Sequence, residues 1–357
     1  MREVDADALS ASQPLTERLA ETPPWSPLRL ALVTAGTLFA IFVALEAIFG
    51  RFALVFGGDG GDDLAREVQI NFRLTLVMIL LTAYLPAAYT LGVRGARRTL
   101  EELRPHLRGD GHAPPRAASV GRFDLHGLRR ARWLGVALAL AVPFWIDLSL
   151  DVWFVWNYPV EPIFQRVLLP ALGWFAGSFI YSVSVESRRL SQIGRDQIQV
   201  DLLDLRSFAP LTRQGLRYAL LVLGLISIVT LLLVDNQKHG IFSVVLIANA
   251  VALAAAAAGL LLPLRGAHQA IVTAKRSELD WCDAELRRAR IALERDAAPN
   301  TARPLADLVA WRGVVAAVPE WPLDAPTLRR FVLYLGLPIG SWLGGAFVEH
   351  VVDFVLR

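Results

Sequence analysis

Six apolar stretches, each about 20 residues long, constrain this chain more than any other feature of its sequence. A helix needs about 20 apolar residues to cross a hydrocarbon core of roughly 30 Å, because lipid offers no partner to an unpaired peptide group. The stretches cover residues 28–49, 72–93, 133–150, 163–185, 218–234 and 241–264. They predict an all-α, polytopic integral membrane protein with three transmembrane helical hairpins.

Composition supports a membrane protein. Hydrophobic residues make up 54% of the chain and charged residues 19%, with a mean hydropathy of +0.44. A soluble domain has about 45–50% apolar and about 25% charged residues. A disulfide framework is excluded because Cys282 is the only cysteine.

A seventh apolar stretch, residues 331–348, is shorter and contains Pro338. We favour a crossing helix here, with a re-entrant or interfacial helix as the alternative. Gly336, Gly340 and Gly344 recur every fourth residue, a spacing that lets another helix approach closely. This helix-packing face predicts a contact either with a span of the same chain or with a second subunit.

Arginine and lysine predict the orientation, because positively charged loops stay in the cytoplasm. Residues 94–132 hold ten such residues, 186–217 hold six and 264–330 hold eleven. The alternate loops hold only Arg51, Arg66, Arg166 and Lys238. We therefore expect a bacterial-type inner (plasma) membrane protein with a cytoplasmic N-terminus.

The spans and loops together divide the chain into eight segments. They are the cytoplasmic N-terminal tail 1–27, hairpin 1 (28–93), the basic cytoplasmic loop 94–132, hairpin 2 (133–185), the cytoplasmic segment 186–217, hairpin 3 (218–264), the cytoplasmic helical region 265–330 and the C-terminal apolar helix 331–357. The tail is acidic and lacks the apolar run of a secretory signal, so we expect it to remain polar and cytoplasmic.

A long cytoplasmic helix is predicted for residues 265–296, which are rich in good helix formers. Its apolar residues recur at spacings of three and four and so share one face. This cytoplasmic stripe consists of Leu279, Cys282, Leu286, Ala289 and Leu293. We favour packing of the stripe within the same subunit, and the alternative is a contact between subunits.

Polar residues inside the predicted spans are candidates for function, because charge is costly in a bilayer. Helix rise places Glu46, Asp147 and Asn249 at similar depths near the outer surface, with Arg73 and Arg166 close to the same layer. We favour structural ion pairs, Glu46 with Arg73 and Asp147 with Arg166. The alternative is a water-filled vestibule for ions or a polar solute.

Motifs of catalysis are missing from the sequence. It contains no H-E-x-x-H, G-x-S-x-G or G-x-x-x-x-G-K-[ST] pattern, and its six histidines lack metal-ligand spacing. We predict no enzyme activity, no cofactor and no metal, and we interpret the acidic turn at 57–63 as solvated. The basic loop and Arg329–Arg330 favour anionic lipid headgroups over nucleic acid.

The function predicted from these features is a channel-like or transport role in a homo-oligomer. The alternative is a non-catalytic membrane scaffold or sensor whose cytoplasmic helices dock a protein partner. A polar cavity reaching Glu46, Asp147 or Asn249 would favour transport. A dry interior with a broad exposed apolar patch on the cytoplasmic stripe, residues 279–293, would favour docking.

Overall fold

A computed structural model describes residues 26–49, 63–107, 123–150, 160–233, 241–295, 299–323 and 326–333 of the chain. The described residues are all-helical and contain no β-strand. The seven main helices are α1 (Pro27–Ile48), α2 (Asp63–Leu103), α3 (Leu125–Leu150), α4 (Val160–Asp196), α5 (Ala209–Val229), α6 (Ile241–Arg295) and α7 (Pro299–Ala317).

Within the described residues, five helices are long and apolar enough to cross a membrane. The qualifying segments are Pro27–Ile48, Phe72–His106, Arg166–Asp196, Leu205–Val229 and Ala250–Ile291. Each overlaps a predicted span, although four of the five differ substantially from it in their bounds, and the remaining predicted span, 133–150, lies within α3. The count of seven spans stays a prediction: residues 326–333 are helical, but most of the seventh stretch, with Gly336, Gly340 and Gly344, lies outside the described residues.

Helix α1 begins where its sequence predicts a helix start. Ser26 accepts a hydrogen bond from the backbone N–H of Arg29 at 3.2 Å, and Pro27 occupies the first helical position. Both residue types favour a helix N-terminus. The serine hydroxyl accepts a hydrogen bond from a backbone N–H that has no partner within the helix, and proline lacks the N–H that would otherwise be left unpaired there.

Helix α2 forms the centre of the bundle. In its apolar segment 78% of the residues are buried, compared with 6% in α1, which lies at the edge. It packs against α1, α4 and α5, while α3 packs on α4, and α6 packs on α4 and α5. The central core is formed by Leu85, Ala88, Tyr89, Val93, Phe179, Leu221, Val222, Leu223, Ile226 and Ala256.

The partners within each predicted hairpin are in contact: α1 with α2, α3 with α4, and α5 with α6. The segments that would close these hairpins, 50–62, 151–159 and 234–240, lie outside the described residues. The hairpin arrangement therefore stays a prediction.

Glycines bring α3 and α4 into backbone contact. A Cβ on Gly135 would overlap the carbonyl oxygen of Gly173, and a Cβ on Gly177 would overlap that of Ala131. These pairings run in opposite directions, so the two helices are antiparallel. Gly173 and Gly177 form a G-x-x-x-G pair, which lets membrane helices pack closely.

Helix α6 joins two predicted segments. The sequence predicts a span at 241–264 that leads into a cytoplasmic helix at 265–296, and one helix runs through Pro263 from Ile241 to Arg295. Neighbouring helices stabilise this passage: a Cβ on Gly266 would overlap the carbonyl oxygen of Ser191 in α4. Such close packing allows proline within membrane helices.

The arginine-rich segments meet at one end of the bundle, which we call the basic end. Here α2 and α4 finish and α5 begins. Leu107 and Ile198 form an antiparallel bridge, and the N–H of Gln199 donates to the carbonyl of His106 at 3.3 Å. Residue 63 lies about 60 Å away at the opposite end of α2, since 41 residues rise about 1.5 Å each.

Candidate functional site

Glu46 of the predicted polar layer is completely buried, although α1 is the least buried of the five candidate spans. It follows Phe42 by one turn, on the same face of α1. The Phe42 ring lies 5.9 Å from the ring of Phe72 in α2 and 5.6 Å from that of Phe164 in α4, between centroids. Glu46 therefore lies on the only stripe of α1 that other helices cover in the described structure.

The arginines of the layer lie on the segments that Phe42 contacts. Arg73 directly follows Phe72 and is half-buried, and Arg166 lies two residues after Phe164 and is exposed. The side chains of Asp147 in α3 and Asn249 in α6 lie outside the described residues. The shared layer and its two ion pairs stay predictions.

A second buried polar cluster, which the sequence analysis missed, lies nearer the basic end. Glu186, Ser187 and Gln214 are fully buried, and Tyr218 is 1% exposed. The guanidinium of Arg189 donates to the Glu186 carboxylate at 3.1 Å. A buried carboxylate needs such a partner, because desolvation costs several kcal/mol per ion.

Gln214 links α5 to α2 within this cluster. Its Nε2 donates to the backbone carbonyl of Gly92 at 3.1 Å, and its Oε1 accepts from the Arg217 guanidinium at 2.6 Å. A Cβ on Gly95 would lie 2.5 Å from that same Oε1, so glycine leaves the room that the amide occupies. The buried side chain of Tyr218 lies one turn further along α5.

A sequence signal for this cluster exists. Ser178, Ser182, Glu186 and Arg189 recur at spacings of four, four and three, which places them on one face of α4. The sequence predicts a cytoplasmic segment at 186–217, and hydropathy gives no sign of buried polar residues in it. In the structure helix α4 continues to Asp196, and Glu186 and Gln214 are buried.

The N-terminus of α3 has its own polar anchor. The backbone N–H groups of Gly127 and His126 donate to the Asp124 carboxylate at 2.9 and 3.2 Å. These bonds, first that from Gly127, lower the pKa of Asp124. The ionised carboxylate thus caps the helix that opens the second predicted hairpin.

An open cleft of about 760 Å³, the polar cleft, lies at the basic end. It separates the segment after α4 from the distal part of α6 and from α7. Its lining residues are Pro105, His106, Leu107, Gln199, Val200, Asp201, Leu202, Leu203, Asp204, Arg206, Ser207, Ala274, Ser277, Glu278 and Trp311.

A second cleft of about 720 Å³, the basic cleft, lies on the other side of the 202–206 segment. It is lined by Leu202, Leu203, Asp204, Leu205, Arg206, Ala209, Thr212, Arg213, Pro319, Trp321, Pro322, Leu323, Thr327 and Arg330. The Trp321 indole stacks on His268 of α6 with centroids 4.2 Å apart and planes at 9°.

Helix α7 covers part of the predicted cytoplasmic stripe. Trp311 donates to the Glu278 carboxylate at 3.0 Å, and Arg312 binds Asp283 at 2.7 Å, a hydrogen bond that raises the pKa of Arg312. Between these contacts Cys282 is completely buried. Leu279, Leu286 and Ala289 are half-buried, and the side chain of Leu293 lies outside the described residues.

No protein-family model, curated protein or solved structure matches this chain. Its function must therefore be argued from its own residues. Among the described residues, no group of three His, Cys, Asp or Glu side chains has the arrangement of a metal site.

Proposed function

We propose that this chain is a multi-pass membrane protein whose basic end lies in the cytoplasm and docks a protein partner in the polar cleft. The orientation is supported by the ten, six and eleven basic residues of the segments 94–132, 186–217 and 264–330. We also propose that the protein lies in a bacterial-type inner membrane and that it forms a homo-oligomer. The particle mass in detergent would measure the oligomeric state.

The main support for this proposal is that the polar cleft lies at the basic end, outside the close-packed helices. The helices around α2 are close-packed, with glycine-mediated backbone contacts between α3 and α4 and between α4 and α6. The polar cleft, by contrast, opens between the 199–207 segment, residues 274–278 of α6 and Trp311 of α7. A surface of this kind suits docking better than permeation through the helices.

Charge defines the partner that the polar cleft fits. Asp201, Asp204 and Glu278 face a single arginine, Arg206, so acidic groups outnumber basic ones. Leu203, which is 66% exposed, adds an apolar contact at the rim. We therefore propose a basic protein segment that also carries apolar side chains, since complementary charge provides specificity.

The double variant Asp201→Asn/Asp204→Asn tests this proposal without removing local structure. Each Oδ1 accepts a backbone N–H, from Leu203 and Arg206 respectively, and asparagine keeps that acceptor while losing the charge. The probes are two synthetic peptides, one of leucine and lysine and one of leucine and glutamate, titrated into protein in zwitterionic nanodiscs.

The wild type should bind the lysine peptide selectively, and the double variant should bind it about tenfold more weakly. Asp280→Asn is the matched control, because Asp280 is exposed on α6 but does not line the cleft. Equal binding of both peptides, or equal losses in control and double variant, would contradict docking in the cleft.

Transport is the second candidate, and the complete burial of Glu46 and Glu186 favours it. Ionisable groups inside a bilayer commonly serve ion pathways. Proteoliposomes with a trapped pH dye would measure proton flux. Flux above protein-free vesicles that is lost in Glu46→Gln or Glu186→Gln would favour transport over docking.

A further inference from the structure

The basic cleft lies where an apolar helix meets a polar surface. Leu205, Ala209, Thr212 and Arg213 form one wall, and they belong to the first turns of the Leu205–Val229 segment, which is apolar enough to cross a membrane. The other wall comes from 319–323 and 327–330. If α5 crosses the bilayer, the start of its span lies at the depth of the lipid headgroups.

The two walls are joined directly. The Thr212 hydroxyl donates to the carbonyl of Pro322 at 2.8 Å. His268 contacts the Glu320 carbonyl through Nδ1 at 2.9 Å and stacks on Trp321. The indole is thus held in position, and tryptophan is enriched at membrane–water interfaces because its ring is amphipathic.

Cationic groups dominate the cleft. Arg206, Arg213 and Arg330 line it with a single acid, Asp204. Arg213 also binds Glu102 at 3.0 Å, but its side chain is 65% exposed, and a guanidinium has five donors, so it can bind a further anion. Arginine binds phosphate oxygens through two parallel hydrogen bonds, which makes a phosphate group the best-matched anion.

Much of the remaining lining is apolar. Leu202, Leu205, Pro319 and Leu323 provide carbon surface beside the arginines. The cleft volume, about 720 Å³, falls within the range of about 300–1,000 Å³ of small-molecule sites. A ligand that carries a phosphate beside a hydrocarbon chain satisfies both parts of this lining.

We propose that the basic cleft binds one anionic phospholipid, with its phosphodiester between Arg213 and Arg330 and its first acyl carbons against the leucine and proline wall. The basic cleft shares Leu202, Leu203, Asp204 and Arg206 with the polar cleft, but Arg213 and Arg330 line the basic cleft and not the polar cleft. Lipid binding there does not depend on protein docking in the polar cleft. It also goes beyond general attraction of basic loops to a membrane, because it predicts a saturable site of defined composition.

Native mass spectrometry of the delipidated full-length chain in detergent tests the site. Phosphatidylglycerol added to this protein should bind at one molecule per chain, and added phosphatidylcholine should not. Arg213→Gln/Arg330→Gln should weaken phosphatidylglycerol binding about tenfold. Arg287→Gln/Arg288→Gln is the control, because these two exposed arginines of α6 lie outside the cleft.

A second readout uses phosphatidylglycerol with brominated acyl chains, which quenches nearby indoles. The lipid should quench part of the fluorescence at low occupancy, and Trp321→Phe should remove that part. This measurement needs no arginine variant and so holds even if the double variant misfolds.

Three results would overturn the proposal. The first is equal retention of the two lipids by the wild type. The second is equal phosphatidylglycerol binding by the cleft variant and the control. The third is displacement of the lipid by millimolar inorganic phosphate, which would identify a free phosphate site instead.

Discussion

Replacing Gly173 with alanine tests the close contact between α3 and α4. The added Cβ would overlap the carbonyl oxygen of Gly135, and it would lie 2.7 Å from that carbonyl carbon and 2.8 Å from the Cβ of Ala139. Carbon atoms pack best at about 3.5–4.0 Å, so the helices must separate by about 1 Å. Overpacking of this kind costs about 1–3 kcal/mol.

Helix propensity acts in the opposite direction, because alanine is favoured over glycine in a helix by up to about 1 kcal/mol. The net result should be a loss of about 1–2 kcal/mol in the free energy of unfolding. Gly36 in α1 provides the matched control. A Cβ there would have no neighbour within 4 Å, so Gly36→Ala should leave stability unchanged or raise it.

Titration of sodium dodecyl sulfate into mild-detergent micelles measures the free energy of unfolding through tryptophan fluorescence. The expected order of stability is Gly36→Ala, then wild type, then Gly173→Ala. If Gly173→Ala were as stable as Gly36→Ala, the backbone contact between α3 and α4 would be wrong.

Three further predictions use the same purified protein. Gln214→Ala should lower the free energy of unfolding by about 1 kcal/mol, because the Gly92 carbonyl loses its buried side-chain donor; wild-type stability would argue against this link. Asp124→Asn should lower the free energy of unfolding at neutral pH and change it least in acid. Because the folded pKa of Asp124 is lowered, its ionised carboxylate stabilises the fold above the unfolded pKa, and this stabilisation is lost as the pH falls through the folded pKa. A difference from wild type that is constant with pH would contradict the cap. Cys282 is completely buried and should react with maleimide only after denaturation, whereas rapid labelling of the native protein would refute the packing of α7 on α6.

The helices could be predicted from sequence because their signal is local. Length and apolar content locate a membrane helix without knowledge of its neighbours, and each predicted span falls on a helix wherever the structure describes it. The continuity of α6 through Pro263 could not be predicted in this way. Close to Pro263, Gly266 packs against the carbonyl of Ser191, a contact between residues far apart in sequence.

Burial of the second polar cluster was missed for a related reason. Glu186 and Gln214 follow or precede their predicted spans, so hydropathy alone assigns them to water. They are buried because α4 and α5 continue to pack beside α2 beyond the predicted spans 163–185 and 218–234. The G-x-x-x-G pair of Gly173 and Gly177, by contrast, was readable from the sequence but was not used.

The proposed docking at the polar cleft and the proposed lipid binding at the basic cleft both require that the basic end lies in the cytoplasm. Cysteine accessibility tests this orientation most directly. In a Cys282→Ser background, single cysteines would replace Asp59 in the predicted exterior loop and Arg188, which is exposed near the end of α4. A membrane-impermeant maleimide on intact cells should label position 59, and position 188 only after permeabilisation. Labelling of position 188 in intact cells, with position 59 protected, would contradict the orientation on which the proposed function depends.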